Sequence, residues 1–342
     1  MTIIRQKKEK ITNSEKVAPD ILVEEINLRP KLLTEYIGQN PIKDNLQISI
    51  KASKKKQEPM DHLLIYGAAG LGKTTLANII ANECAVNIKI TSGPALEKPG
   101  DLASVLTNLK EHEILFIDEI HRLKPTIEEI LYSAMEDFRI DIIIGKGPGA
   151  RTMRLKIPQF TLIGATTKMS MLSSPLRDRF GHILKLDFYS DEEIGEIINR
   201  SANILKCSIN HEAAKILSKS ARQTPRIANR LLKRCHDLAI INDMETIDVQ
   251  IVTACLELLK IDNIGLNKTD REILITIIDK FRGGPVGLNT IAAAVSEDEN
   301  TIEDAYEPYL IKIGFIERTA RGRVVTEHAY KHLNINNYKF TS

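Results

Sequence analysis

The run Gly67-Ala68-Ala69-Gly70-Leu71-Gly72-Lys73-Thr74-Thr75 constrains this chain more than any other stretch. The apolar Leu63-Leu64-Ile65-Tyr66 before it reads as a buried strand, and Leu76-Ala77-Asn78-Ile79-Ile80-Ala81 after it reads as a helix. A strand, a glycine-rich loop ending in Lys-Thr, and a helix together form the context of a P-loop. Glycines let backbone N–H groups turn inward around phosphate oxygens, and the helix N-terminus adds partial positive charge. Lys73 can reach the β- and γ-phosphates, and the Thr74 hydroxyl can ligate Mg²⁺. The pattern implies nucleoside triphosphate binding on a parallel α/β core.

A second apolar strand, Glu113 to Ile117, delivers Asp118 and Glu119 at its C-terminal end. That is the rim where α/β sheets bind ligands. Asp118 would hold the Mg²⁺ shell and Glu119 would polarise the attacking water as general base. A strand that merely ends in a charged turn is the bland alternative, and the P-loop upstream weighs against it. His121, a lone histidine, is assigned no role. A third core strand, Phe160 to Thr167, ends in hydroxyls that either sense the γ-phosphate or cap the strand. Pro175 to Gly181 carries Arg177 and Arg179 beside a helix end. Arginine there suits transition-state charge on phosphate, often from a neighbouring subunit, or else a surface ion pair.

Between these strands, the helix Pro125 to Asp137 leads into two partly alternating runs about the turn Gly145 to Gly149, a β-hairpin over 140–157. Consecutive Ile142, Ile143 and Ile144 make it too apolar for a lone hairpin, so it packs on its own sheet or offers a partner an apolar patch. From about Ser190 the pattern is helical: Asp191 to Leu205, His211 to Ser220, a helix opened by Thr224 as N-cap and Pro225, and Asp248 to Lys260. Arg226, at the start of the third, could reach a phosphate bound against the adjacent domain, and the group reads as a helical lid. After a linker at 261–265, three helices and a basic two-stranded turn spell a winged helix. Its third helix carries Glu303, Asp304 and Glu307, which would repel phosphate and argue against major-groove readout. The wing carries Arg318, Arg321 and Arg323, so backbone-directed DNA binding is expected.

The 342 residues fit two or three domains, and a net charge of +2 is too small to imply a nucleic-acid partner by itself. No apolar run spans a bilayer, and the four cysteines show no CxxC pair or metal spacing, so a reduced cytoplasmic protein is the simplest account. Residues 1–16 read as a basic, solvated tail or, less simply, a nucleic-acid-binding arm.

The order of P-loop, Asp-Glu strand end, Thr-tipped strand, Leu176-Arg177-Asp178-Arg179-Phe180-Gly181 and lid arginine resembles the AAA+ ATPases. Glu35-Tyr36-Ile37-Gly38-Gln39, Ile117 to Arg122, Met135-Glu136-Asp137-Phe138, Thr224 to Leu232, Phe281 to Leu288 and Glu307 to Ile311 resemble, more narrowly, the RuvB family of Holliday-junction branch-migration motors. The resemblance covers roughly 20–335 and implies a large ATPase domain at 20–189, a helical lid at 190–260 and a winged-helix head at 263–342, after a tail at 1–19. It implies that Leu28, Arg29 and Tyr189 border adenine and ribose, and that Gly70, Leu71, Gly72, Lys73, Thr74 and Thr75 cradle phosphate. Thr74 and Asp118 would hold Mg²⁺, Glu119 would be catalytic, Thr167 the first sensor and Arg226 the second. Arg179 would act in trans, Glu136, Asp137 and Phe138 would fall near nucleotide, and Arg318 and Arg323 would contact DNA.

The implied activity is ATP hydrolysis coupled to branch migration of four-way junctions in recombination and repair. The implied partners are duplex and junction DNA, RuvA through the hairpin, and further copies in a homo-hexameric ring. Two positions depart from the family pattern. Ala68-Ala69 replace a Pro-Pro pair, which leaves the loop less pre-organised, and Gln223 replaces a glycine before the second sensor. A clamp-loader-like subunit would lack the basic winged helix. A non-hydrolysing DNA scaffold would need no water activator such as Glu119.

Overall fold

The structure is a computed structural model that describes residues 28–144 and 151–335. The tail and the turn 145–150 lie outside the described residues, as do the side chains of Ile142, Ile143 and Ile144. The five-stranded core sheet has the order β2-β3-β6-β1-β7. Its strands are β1 (Leu63–Tyr66), β2 (Ile88–Ser92), β3 (Ile114–Asp118), β6 (Thr161–Thr166) and β7 (His182–Lys185), all parallel. The chain leaves β1, builds the far edge as β2 and β3, and returns through β6, which pairs with both β3 and β1. The C-terminal ends of β1, β3 and β6 therefore lie side by side. The P-loop, Asp118-Glu119 and Thr166-Thr167, up to a hundred residues apart in the chain, share one rim.

Period-two alternation divides the strand side chains between two cores. Leu63, Ile65, Ile114 and Phe116 join the helix Lys73–Cys84 on one face. Leu64, Leu115, Ile117 and Leu162 join Ile127 and Leu131 of the helix Pro125–Asp137 on the other. Burial of both faces explains why the central strands read as unbroken apolar runs. The first core continues into the lid through Tyr189, Ile194, Leu217, Leu231 and Val252, so nucleotide domain and lid share apolar contacts.

The hairpin forms from β4 (Arg139–Ile144) and β5 (Arg151–Lys156), paired antiparallel and outside the core sheet. Its base, Ile140 with nearby Ile157, is buried in the second core, while Asp141 and Arg154 form an exposed ion pair at 2.8 Å.

The lid comprises the helices Asp191–Leu205, His211–Lys219, Pro225–Ile241 and Val249–Leu258. A two-residue parallel pairing of β8 (Ser208–Ile209) with β9 (Thr246–Ile247) departs from the purely helical expectation. Thr224 stands at the N-cap, but its hydroxyl donates back to the Ala221 carbonyl and caps nothing.

In the head, Asn267 and Asp270 form a capping box on the helix Lys268–Phe281. The helix Leu288–Val295 follows, and β10 (Ile316–Thr319) and β11 (Gly322–Val325) make the antiparallel wing. The third helix is irregular: Glu299–Thr301, a π-helical stretch Ile302–Tyr306, then Glu307–Lys312. Pro308 has no N–H to donate to the carbonyl four residues back, and the Glu307 N–H reaches Ile302 instead. Among the described residues no helix is long and apolar enough to cross a membrane.

Candidate active site

The P-loop leaves β1 with the Gly67 N–H on the Thr166 carbonyl at 3.2 Å and enters its helix at Gly72, which has φ +99°. That left-handed backbone is open to glycine at little cost. No side chain caps this helix, so its first N–H groups face the cleft lined by Gly70, Gly72, Lys73, Thr74 and Thr75. The Lys73 ammonium donates to the carbonyls of Gly67 (2.8 Å) and Ala68 (3.0 Å). Burial lowers its pKa to about 8; Asp118 holds it up, and Arg226 pushes it further down. A half-buried cation beside uncapped helix N–H groups is a fitting cradle for polyphosphate. Ala68 packs against the first core.

Asp118 and Glu119 line the opposite wall with Thr167. Glu119 has φ +50°, a conformation that costs a non-glycine residue energy and recurs at functional sites. Its N–H donates to Asp118 Oδ1 at 3.0 Å. Its carbonyl lies where a Cβ on Gly93 would stand, at 2.4 Å, so only glycine at the end of β2 admits this turn. Behind it, His121 is 8% exposed and shares a 2.9 Å hydrogen bond with the Thr166 hydroxyl, which also accepts from the Lys168 N–H. The lone histidine is thus part of the support under Thr167.

Among the described residues no group of three or more His, Cys, Asp or Glu side chains could hold a metal ion. Thr74 and Asp118, which both line the cleft, would offer oxygen to a cation here. That suits Mg²⁺, which takes its remaining ligands from phosphate and water.

Leu28 and Arg29 line the far end of the cleft with Tyr36 and Tyr189, and Arg226 and Asn229 reach in from the lid. The Tyr189 hydroxyl lies within hydrogen-bond distance of Tyr36 Oη (3.1 Å) and the Leu71 carbonyl (3.4 Å), and burial pushes its pKa up to about 12. Leu71 therefore contributes backbone, its side chain being core. Arg200, which spacing alone did not reveal, donates to the Leu28 carbonyl at 2.8 Å and pairs with Glu35 at 3.4 Å. Gln223, before the lid arginine, has φ +54°, a conformation that suits the glycine it replaces.

Four expected nucleotide residues lie outside this chain's own cleft. Glu136 pairs with Arg179 at 3.0 Å, Asp137 is exposed, and Phe138 packs edge-on against Phe160. The Arg179 guanidinium also lies 4.7 Å above the Tyr132 ring and donates to the Pro175 carbonyl at 2.7 Å. These side chains cluster around the C-terminal end of Pro125–Asp137, and none of them lines the P-loop cleft.

The wing differs from a set of free cations. Glu307 is buried and takes Arg323 as a fork at 2.8 and 3.1 Å and Arg318 at 2.6 Å. Arg321, in the Thr319–Gly322 turn, is exposed. Expected repulsion from Glu307 is thus cancelled internally, at the expense of two of the three wing charges. Glu303 and Asp304 are likewise engaged, by Lys168 of the ATPase domain at 2.8 and 3.5 Å.

Comparison with known proteins decides the family. The model for the P-loop domain of the Holliday junction DNA helicase RuvB matches residues 28–186. Those for the RuvB AAA lid and the RuvB C-terminal winged helix match 189–262 and 263–334. Two point variants of Thermotoga maritima RuvB are each 50% identical with TM-score 0.85, covering 90% of this chain and 99% of theirs. The chain belongs to the RuvB family. A further structure, described as the Thermotoga maritima RuvB Holliday junction branch migration motor, is 49% identical with TM-score 0.84, covering 91% and 99%. As a RuvB, the chain is a P-loop AAA+ ATPase with a helical lid and a winged-helix domain.

Proposed function

We propose that this chain branch-migrates four-way DNA junctions, powered by ATP, together with RuvA and as a homo-hexameric ring in recombination and repair. The observation that carries the reading is the meeting of Lys73, Asp118, Glu119, Thr167 and Arg226 around one cleft, in a chain that also bears a winged helix. A pure nucleotide binder needs the cradle and no water activator.

Leu28, Arg29 and Tyr189 would enclose the base and ribose, and the P-loop residues Gly70 to Thr75 the phosphates. Mg²⁺, held by Thr74 and Asp118, would neutralise phosphate charge. Glu119, 40% exposed and paired with the exposed Arg122 at 3.6 Å, would take a proton from water in the cleft. Thr167 would orient that water or the γ-phosphate. Arg179 would reach a neighbouring subunit's site, bringing Glu136, Asp137 and Phe138 with it. Arg226 would couple the phosphates to the lid, and lid motion would shift the head, whose exposed Arg321 would ride on DNA phosphates, with Arg318 and Arg323 adding what charge their pairing with Glu307 leaves. The hairpin β4–β5, set outside the core sheet and anchored through Ile140, is the element offered to RuvA.

Glu119→Gln tests the assignment. The variant is expected to bind Mg²⁺-ATP within about threefold of wild type and to lose about 10²–10⁴-fold in turnover, the usual contribution of a general base. Turnover above a tenth of wild type would remove Glu119 from the reaction.

A further inference from the structure

Two acids of the head's third helix, Glu303 and Asp304, meet the ATPase domain, and Glu303 also pairs with Arg318 of the wing at 3.4 Å. Lys168, next after Thr167 at the end of β6, pairs with Glu303 at 2.8 Å and Asp304 at 3.5 Å, and its Nζ donates to Asn300 at 3.4 Å. The Thr167 hydroxyl donates to Asp304 Oδ1 at 3.5 Å. Thr167 also lines the nucleotide cleft, so the head seats two carboxylates on its rim. Both belong to the π-helical stretch Ile302–Tyr306, an irregular turn of the kind that marks functional positions.

The same stretch is gripped from the lid. Arg222, 6% exposed, pairs with buried Asp270 at 3.0 Å, donates to the Ala305 carbonyl at 3.3 Å and stacks 4.7 Å above the Tyr309 ring. Asp304 is near enough to the cleft for its charge to favour the protonated forms of Lys73 and His121.

We propose that Asp304, supported by Glu303, sets this site's preference between nucleoside di- and triphosphate, favouring the diphosphate while the head is docked. The inference deepens the reading above and rests on placing the γ-phosphate by Thr167 and Lys73. A γ-phosphate brings further negative charge and acceptor oxygens to the hydroxyl that Asp304 already uses. Two anions then compete for Thr167 and Lys168 in a partly dehydrated cleft, where their repulsion is weakly screened. A diphosphate ends one phosphate short and leaves the contact intact. By linkage the effect is reciprocal: triphosphate loosens the head, and a docked head weakens triphosphate.

The test is binding of fluorescent ADP and of a slowly hydrolysed ATP analogue to the full chain, wild type against Asp304→Asn. The variant keeps size and hydrogen-bonding capacity and removes the charge. Its affinity for the triphosphate should rise roughly fivefold or more, within the usual span of coupling energies, with ADP affinity within about twofold. Asp304→Glu should stay near wild type. In wild type, hydrogen exchange at 299–306 should speed up with the triphosphate analogue and not with ADP. Equal shifts for both nucleotides, or no difference in exchange between them, would overturn the inference while leaving the motor reading intact. Failure of wild type to bind triphosphate at all would overturn both.

Discussion

Replacing Glu307 by glutamine asks whether charge ties the wing to the third helix. The side chain is 3% exposed and accepts from both Arg318 and Arg323. Burial alone would raise its pKa, but the two guanidiniums outweigh burial and hold it below the ordinary carboxylate range. The two bridges differ in worth. Arg318 is 51% exposed, and a screened pair of that kind contributes about 1 kcal/mol or less. Arg323 is 15% exposed against 3% for Glu307, and removing one partner of a pair so largely buried costs up to about 3–5 kcal/mol.

Glutamine keeps the volume and one acceptor oxygen, so we expect about 2 kcal/mol for Glu307→Gln and the fuller amount for Glu307→Ala. Three domains make a single unfolding free energy ill-defined, so the assay is native-state hydrogen exchange across 268–319. The pH sign follows from the depressed pKa. The advantage of Glu307 is complete above the unfolded value near ~4.3 and is lost as pH falls through the lower folded value. A change under about 0.5 kcal/mol at pH 7, within the range of ordinary surface substitutions, would refute the reasoning.

Three further outcomes are expected. His62 accepts the Leu162 N–H on Nδ1 at 2.9 Å and donates from Nε2 to the Met135 carbonyl at 3.2 Å, and burial lowers its pKa. Its contribution should be complete above the unfolded value near ~6.5 and fall below it by up to about 1.4 kcal/mol per pH unit, so the thermal midpoints of wild type and His62→Asn should converge from pH 7 to 5. Tyr132→Leu removes the ring under Arg179 and should lower turnover of the assembled enzyme about tenfold with nucleotide affinity little changed, while Tyr132→Phe keeps activity; equal loss in both would contradict a cation–π role. Gln223→Gly should be neutral or stabilising by up to about 1 kcal/mol in thermal unfolding, since φ there is +54°; a clear loss would show that the glutamine side chain is needed.

The chemistry of the cleft was legible because each part is local: a phosphate cradle, a carboxylate pair and a hydroxyl tip each need consecutive residues after a strand. The helices Pro125–Asp137 and Asp191–Leu205 were legible to the residue, each marked by a start signal at Pro125 and Ser190. The strand β2 escaped notice because Lys89, Thr91 and Ser92 interrupt its apolar residues, as an edge position half-buried along most of its length permits. The role of Glu307 was misread for a different reason. Its helix shows only acids, while the arginines that neutralise it come from the wing. Lys168 with Glu303 and Asp304, and Arg222 with Asp270, join separate domains, and no periodicity or spacing encodes such pairs. Arg179 was expected at phosphate chemistry from its place after a helix end, but nothing in the spacing showed the Tyr132 and Glu136 that hold it.

The measurement that bears most directly on the central claim is the fate of a synthetic four-way junction given this protein, RuvA and ATP. The junction should resolve into two duplexes only when all three are present, and ADP or Glu119→Gln should leave it four-armed. An intact junction in a mixture where DNA still stimulates ATP hydrolysis would contradict the account, and would leave a DNA-linked ATPase whose work is done on another substrate.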